Sequence, residues 1–151
     1  MKKYIHYFIG LTLLILVLGS CKKSDQQSLV DKQIIENYVQ ANNLQGTFTS
    51  SGLYYVIVSP GGSVHPTLDS TVNVDYKGSF LSGSVFDQGT NVSFTLNQVI
   101  LGWQEGLQLI GAGGKIILII PSALAYGTSG SGSIPSNTVL RFDVTLNSVT
   151  K

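Results

Sequence analysis

This 151-residue sequence has few charged residues, two histidines and a single cysteine. Its 9 basic residues face 8 acidic ones, so no excess of positive charge is available to bind nucleic acid. The lone Cys21 cannot form a disulfide within the chain. His6 and His65 lie far apart in the sequence and suggest neither a zinc site nor a histidine-based catalytic triad. We therefore expect no nucleic-acid partner, no metal and no other cofactor.

Motifs for nucleophilic catalysis, phosphate binding and acid-base hydrolysis are missing as well. No serine lies in a nucleophile-elbow pattern, and no glycine-rich turn is followed by the lysine of a phosphate-binding loop. Carboxylates are too sparse to indicate a hydrolase with paired acids, and only Asp87, beside Phe86, is expected at the rim of a pocket. What the chain does contain is aromatic and aliphatic side chains near the ends of its predicted helices and strands.

The N-terminal 20 residues have the layout of a secretory signal. A basic start is followed by an apolar run, Tyr4 to Leu18, and by the exit Leu18-Gly19-Ser20-Cys21. These four residues resemble the lipobox of bacterial lipoproteins, in which the cysteine is lipidated. The alternative is an ordinary signal peptide that has a cysteine at its end by chance. We expect residues 1–20 to be a lipoprotein signal and Cys21 to anchor the protein in a bacterial envelope membrane. The expected membrane is the outer one, with the protein facing the periplasm or the surface.

A short helix is predicted before the main domain. Lys22 to Ser28 are polar and lack periodicity, which is typical of a tether, and we predict this tether over residues 21–30. Ser28 or Asp31 would cap a helix over residues 31–45. Its apolar stripe consists of Ile34, Ile35, Tyr38 and Ala41. The helix would pack on the domain or pair with another copy, and the narrow stripe favours packing.

From Gly52 onward the pattern is that of strands. Leu53 to Val58 is continuously apolar, whereas Thr71 to Phe80 and Thr138 to Val149 alternate between apolar and polar residues. Between them we predict a short strand at Val85-Phe86, a polar loop from Asp87 to Asn91, and a short strand containing Phe94 and Leu96.

A helix and a strand follow directly on each other in the stretch Val99 to Pro121. The apolar residues Ile100, Trp103, Leu107 and Ile110 share one helical face. Gly111 ends the helix, Gly113 and Gly114 permit a reversal, and Ile116 to Ile120 reads as a buried strand. Together with the other strands, this predicts an α+β fold in which an antiparallel sheet curls over a helix.

The sequence resembles the FKBP-type peptidyl-prolyl isomerases, and in particular their secreted bacterial lipoprotein forms. The resemblance covers about residues 52–150, with all blocks in family order. The matching blocks are Val74-Asp75-Tyr76-Lys77-Gly78, Phe86-Asp87, Val99 to Leu107, Gly111, Gly114-Lys115, Ile120-Pro121, Ala125-Tyr126-Gly127, Ile134-Pro135 and Leu140 to Val144.

The resemblance implies a sheet of about five or six antiparallel strands wrapped around the Trp103 helix. It implies a pocket with Trp103 as the floor for a substrate proline ring. Its implied walls are Tyr76, Phe86, Val99, Ile100 and Phe142. The Ile100 backbone N–H and the Tyr126 hydroxyl would each hold a substrate carbonyl, and Asp87 would lie at the rim. The implied partners are proline-containing unfolded or exported polypeptides and a macrolide ligand.

The sequence departs from the family at three places, one of which is the short segment from Phe94 to Val99. Val92 stands where many members have an aromatic residue, and residues 128–133 form a small polar loop where many members have larger side chains. A second interpretation is a non-catalytic holdase or protein-binding module that uses the same groove. A third is a lipid-anchored structural protein with an inactive pocket.

Overall fold

The computed structural model describes residues 24–150 and has the predicted α+β fold. The predictions for residues 1–20 and for Cys21 lie outside the described residues. Along the chain the elements are α1 (residues 24–41), β1 (Thr47–Phe48), β2 (Tyr54–Ser59), β3 (Thr71–Phe80), β4 (Val85–Thr95), α2 (Leu101–Leu107), β5 (Lys115–Ile120) and β6 (Leu140–Thr150). Single 3-10 turns occur at Leu96–Gln98 and Ser122–Leu124. Neither helix in this part of the chain is long and apolar enough to cross a membrane.

The six strands form one sheet in the order β1-β2-β5-β6-β3-β4, and every neighbouring pair is antiparallel. The predicted bounds of β3, Thr71 to Phe80, are confirmed to the residue, and Val72, Val74 and Gly78 are buried on the face that the alternation predicts. The sheet begins at Thr47, five residues before the predicted start of the domain at residue 52.

The predicted polar loop Asp87 to Asn91 is wrong, because β4 runs through it without a break. The ladder pairs Val74 with Val92 and then Tyr76 with Gly89, so β4 holds one extra residue in a bulge. Asn91 adopts a positive φ of 57°, and its N–H donates to the side chain of Asp75 over 2.7 Å. This side-chain bond satisfies the backbone at the bulge and keeps the strand continuous.

Helix α2 packs unusually close to β5. A Cβ added at Gly102 would lie 2.5 Å from Ile120, and one added at Gly106 would lie 2.5 Å from Leu118. The helix is shorter than predicted, since Ile100 precedes its first turn and Ile110 follows its end. Gly113, at φ 83°, makes the expected reversal into β5.

Strand β5 is apolar from Ile116 to Ile120 because both of its faces are covered there. Ile116, Leu118 and Ile120 pack in the main core with Trp103 and Leu107 of α2. On the other face, Ile119 and the partly buried Ile117 pack with Ile35 of α1 in a second cluster. A strand buried on both faces does not alternate between apolar and polar residues, which explains the continuous run in the sequence.

The prediction for α1 needs correction at both ends. Residues 24–30, predicted as a tether, are helical, and the helix ends at residue 41 instead of 45. Neither Ser28 nor Asp31 is a cap, because both lie within the helix. Ile34 is 39% exposed and Ala41 is also exposed, so the predicted stripe is only half right. The residues that face the sheet are Gln27, Asp31, Ile35, Tyr38 and Val39, at helical spacing.

Candidate active site

A cavity of about 300 Å³ opens beside α2, and seven of the eight predicted site residues line it. Its lining consists of Tyr76, Asp87, Phe94, Gln98, Val99, Ile100, Trp103, Tyr126 and Phe142. These residues come from β3, β4 and β6, from the segment before α2, from α2 itself and from the loop after β5. The tertiary fold thus gathers into one site residues that are spread over more than half of the described chain.

Trp103 is the best-buried aromatic residue of the cavity together with Phe142, each at 4% exposure. Tyr76, Phe94 and Phe142 meet its ring edge to face, with centroid distances of 5.3, 5.8 and 5.4 Å. Such T-shaped contacts fix the orientation of the indole as well as burying it. Its Nε1 is buried and has no hydrogen-bond partner among the described residues. The result is a rigid, apolar floor.

The rim of the cavity carries a hydrogen bond between neighbouring strands. The Tyr76 hydroxyl donates to Oδ2 of Asp87 over 2.9 Å. Burial, followed by this hydrogen bond and the charge of Asp87, raises the pKa of Tyr76 to about 12. Burial also raises the pKa of Tyr126, and the charge of Asp87 adds to the effect. Both phenols therefore keep their protons, and can donate hydrogen bonds, throughout the neutral range.

The segment before α2 presents an unpaired backbone donor. The carbonyl of Ile100 accepts the N–H groups of Trp103 and Gln104, at 2.9 and 3.1 Å, and so starts the helix. The N–H of Ile100 itself donates to no group within the described part of the chain. Gln104 holds the segment in place, because its Nε2 donates to the Val99 carbonyl over 2.8 Å. The Ile100 N–H is thus available to a carbonyl group of a bound ligand.

Phe86 is the predicted site residue that the structure does not place at the cavity. The ladder pairs Gly78 with Asp87 and Ser79 with Val85, which leaves Phe86 in a bulge. Its ring packs against Phe142 at 5.5 Å, so it supports a wall of the cavity from behind. A Cβ at Gly78 would lie 2.7 Å from atoms of both rings, so a larger residue there would displace at least one of them.

Sequence reasoning missed two lining residues, Phe94 and Gln98. Phe94 lies in β4, two residues after Val92, and its ring contacts Tyr76 at 5.9 Å as well as Trp103. Reading β4 as one alternating strand would have placed Phe94 on the inner face. Gln98 carries no comparable signal. His65 lies elsewhere, with its Nδ1 3.0 Å from the carbonyl of Gln108.

The chemistry available in this cavity is non-covalent. Its lining contains an aromatic floor, two phenol hydroxyls, one carboxylate and one free backbone N–H, but no serine, cysteine, histidine or lysine. Among residues 24–150, no group of three or more His, Cys, Asp or Glu side chains is arranged to hold a metal ion. The arrangement can accept a small apolar ring and hydrogen-bond the carbonyl groups next to it.

Comparison with known proteins gives a consistent picture. Residues 62–147 match the family described as FKBP-type peptidyl-prolyl cis-trans isomerase. The chain is 41% identical over 135 residues to the FKBP-type peptidyl-prolyl cis-trans isomerase FkpA of Aeromonas hydrophila, covering 85% of this chain and 50% of that protein. The FkpA of Escherichia coli K12 is 40% identical over 136 residues, which cover 82% of this chain and 50% of that protein. The chain thus spans about half the length of these curated relatives.

Solved structures agree with the sequence comparison. The crystal structure of FkpA from Escherichia coli superposes with a TM-score of 0.73 at 33% identity, over 99% of this chain and 73% of that one. A peptidyl-prolyl cis-trans isomerase from Pseudomonas syringae pv. tomato superposes with a TM-score of 0.71 at 30% identity, over 82% of this chain and 96% of that one.

Proposed function

The chain belongs to the FKBP-type peptidyl-prolyl cis-trans isomerase family, and from that premise we propose that it catalyses rotation about the peptide bond before proline. The observation that carries the proposal is the floor of the cavity. Trp103 is held edge to face by three aromatic rings, beside the free N–H of Ile100. This combination suits a proline ring whose flanking carbonyls need partners.

The reaction requires no bond to be broken. Amide resonance raises a rotational barrier of about 18–20 kcal/mol, and the uncatalysed reaction takes tens to hundreds of seconds. Twisting the amide removes that resonance and shrinks its dipole. An enzyme therefore needs only to bind the twisted amide better than either planar form. An apolar aromatic cavity does so, because transfer from water into it costs less free energy for the less polar twisted amide than for the planar forms.

Each of the seven predicted residues that line the cavity then has a part in binding the substrate. The proline ring rests on Trp103, between the side chains of Val99, Ile100, Tyr76 and Phe142. The Ile100 N–H and the Tyr126 hydroxyl each donate to a carbonyl of the substrate, which fixes the chain on both sides of the twisting bond. Asp87 lies at the rim, held by the Tyr76 hydroxyl at 2.9 Å. The implied substrates are proline-containing unfolded or exported polypeptides, and the same cavity is the site we propose for a macrolide ligand.

The test is the rate of cis–trans relaxation of a peptide with an apolar residue before proline, measured with the full chain. We expect acceleration by the wild type and a lower rate with Tyr126→Phe, which removes only the hydroxyl. Tyr55→Phe is a matched control, since Tyr55 lies on β2 and does not line the cavity. A folded wild-type chain that does not accelerate the relaxation would contradict the proposal. If that chain also suppressed aggregation of an unfolded protein, the holdase interpretation would replace it.

We also propose the lipoprotein form. Leu18-Gly19-Ser20-Cys21 follows a basic and apolar run, and we expect acylation of Cys21 to hold the protein at an envelope membrane, facing away from the cytoplasm. Cys21→Ser should release it into the soluble fraction after a detergent-free wash. Lys23→Ala is the control, because it removes a neighbouring positive charge and keeps the exit motif. Retention of Cys21→Ser in the membrane fraction would place the anchor elsewhere.

A further inference from the structure

Asp31 of α1 is a buried carboxylate, 1% exposed, whose hydrogen bonds reach across the fold to the loop after β5. Its Oδ2 accepts the N–H of Ser122 at 2.8 Å and the Oγ–H of Ser122 at 2.6 Å. Its Oδ1 accepts Nε2 of Gln27 at 2.7 Å, from the preceding turn of the helix. Hydrogen bonds to a carboxylate are stronger than those between neutral groups, and a buried carboxylate needs them. This contact joins residues 91 positions apart.

Ser122 in turn organises the residues on both sides of Tyr126. Its carbonyl accepts the N–H of Ala125 at 3.0 Å and the N–H of Gly127 at 2.9 Å. These two donors flank Tyr126, whose side chain lines the cavity. Ser122 is itself only 1% exposed, so its neighbours fix its position. Among them is Asp31, which accepts the N–H and the Oγ–H of Ser122. A continuous set of hydrogen bonds thus leads from α1 to the backbone around Tyr126.

We propose that Asp31 is a positioning residue of the isomerase site: through Ser122 it holds the Tyr126 hydroxyl where it meets the substrate carbonyl. Helix α1 is then part of the catalytic unit, although it lies on the opposite face of the sheet from α2 and outside the matched residues 62–147. The proposal rests on the proposed isomerase function. Asp31 itself does not line the cavity and touches no substrate.

A purely structural role for Asp31 would be to dock α1 on the sheet, and the chain offers a matched control for it. Nη1 of Arg141, on β6, donates to the hydroxyl of Tyr38, also on α1, at 3.0 Å. Arg141 is held in turn by Asp143, with which it makes two hydrogen bonds at 2.7 and 2.9 Å. Tyr38→Phe therefore removes a charge-assisted docking contact of the same helix and leaves Ser122 and Tyr126 untouched.

The first experiment measures kcat/KM of the full chain. We expect Asp31→Ala to lower kcat/KM about five- to tenfold. Asp31→Asn should lower it less, because its amide oxygen still accepts from Ser122. Tyr38→Phe should change it less than about twofold. In a Tyr126→Phe background, Asp31→Ala should cost less than about twofold, since the group that it positions is already gone. Equal losses from Asp31→Ala and Tyr38→Phe, or additive losses with Tyr126→Phe, would overturn the proposal.

The second experiment does not depend on activity. We expect amide hydrogen exchange at Ala125 and Gly127 to accelerate at least about tenfold in Asp31→Ala and to stay unchanged in Tyr38→Phe. Should Asp31→Ala fail to fold, Ser122→Ala takes its place in both measurements. A wild type without isomerase activity would refute the proposed function, and exchange would still decide whether Asp31 positions the Tyr126 loop. Unchanged exchange in Asp31→Ala, or in Ser122→Ala where Asp31→Ala does not fold, would refute the positioning role.

Discussion

The side chain of Gln104 holds the carbonyl of Val99: its Nε2 donates across 2.8 Å to that oxygen and lies 3.3 Å from the carbonyl of Asn97. Gln104 sits in the first turn of α2, whereas Val99 lines the cavity two residues before the helix begins. A helix side chain thereby fixes the segment that precedes its own helix. The free N–H of Ile100 lies between these two residues in the sequence, so its direction depends on this contact.

Gln104→Glu should therefore lower kcat/KM about tenfold, mainly by raising KM. A glutamate of nearly the same shape has no donor at neutral pH and would place a negative charge against two carbonyl oxygens. Gln108→Glu is the matched control, because Gln108 Nε2 also donates to a backbone carbonyl, that of Gln104, but does not contact the cavity segment. Similar losses from the two variants would show that the segment does not depend on Gln104.

Trp103→Ala should lower the free energy of unfolding by about 3–5 kcal/mol and abolish turnover. The change deletes a side chain that is 4% exposed and removes the partner of three edge-to-face contacts. Urea denaturation followed by circular dichroism measures the first effect. Leu101→Ala, two residues away and 54% exposed, is the control and should change stability by less than about 0.5 kcal/mol. Full turnover in a folded Trp103→Ala variant would exclude the indole as the floor of the site.

Turnover should be nearly independent of pH between about pH 6 and 8.5. No histidine, cysteine or lysine lines the cavity, and the pKa of Tyr76 is raised to about 12. Rotation about an amide also needs no proton transfer. Asp87→Asn should keep the flat profile and lower kcat/KM modestly, while Asp87→Leu should lower it further because it removes the polar contact. An inflection of kcat/KM near neutrality that Asp87→Asn abolishes would identify Asp87 as an acid or base.

The raised pKa of Tyr76 also predicts how stability changes in alkali. An unfolded tyrosine titrates near pH 10, and the folded residue near pH 12, so the folded state favours the protonated phenol. The stabilisation is fully present below about pH 10 and is lost as the pH rises toward 12. The free energy of unfolding of the wild type should thus fall toward that of Tyr76→Phe over this range. A constant difference between the two proteins from pH 9 to about pH 12 would contradict the assignment.

Gly106→Ala should destabilise the protein by about 1–3 kcal/mol, although alanine is the better helix former. The added Cβ would lie 2.5 Å from Cδ2 of the buried Leu118, so that side chain, α2 or β5 must shift. Thermal unfolding would measure the change. A gain of about 1 kcal/mol, as helix propensity alone predicts, would show that α2 is less tightly packed than described.

Much of the fold could be predicted because most of the buried side chains are apolar. Strand β3 alternates, β5 is apolar on both faces, glycine marks the turn between α2 and β5, and Pro121 follows the end of β5, so local pattern and tertiary environment agree. The family resemblance predicted eight site residues, and seven of them line one cavity.

Predictions from the sequence alone were wrong where a polar side chain is buried and where the pairing register between two strands shifts at a bulge. Asp31 resembles a helix cap because a carboxylate is normally exposed. Its burial is favourable because Gln27, one turn earlier, and Ser122, distant in the chain, donate hydrogen bonds to its carboxylate. The two bulges of β4 depend on its pairing with β3. Because of them, the segment predicted as a loop is part of a strand, and Phe86 packs behind Phe142. Local pattern determined most of the helices and strands, but the partners of polar groups and the register between strands are set by long-range contacts, so only the tertiary structure decided them.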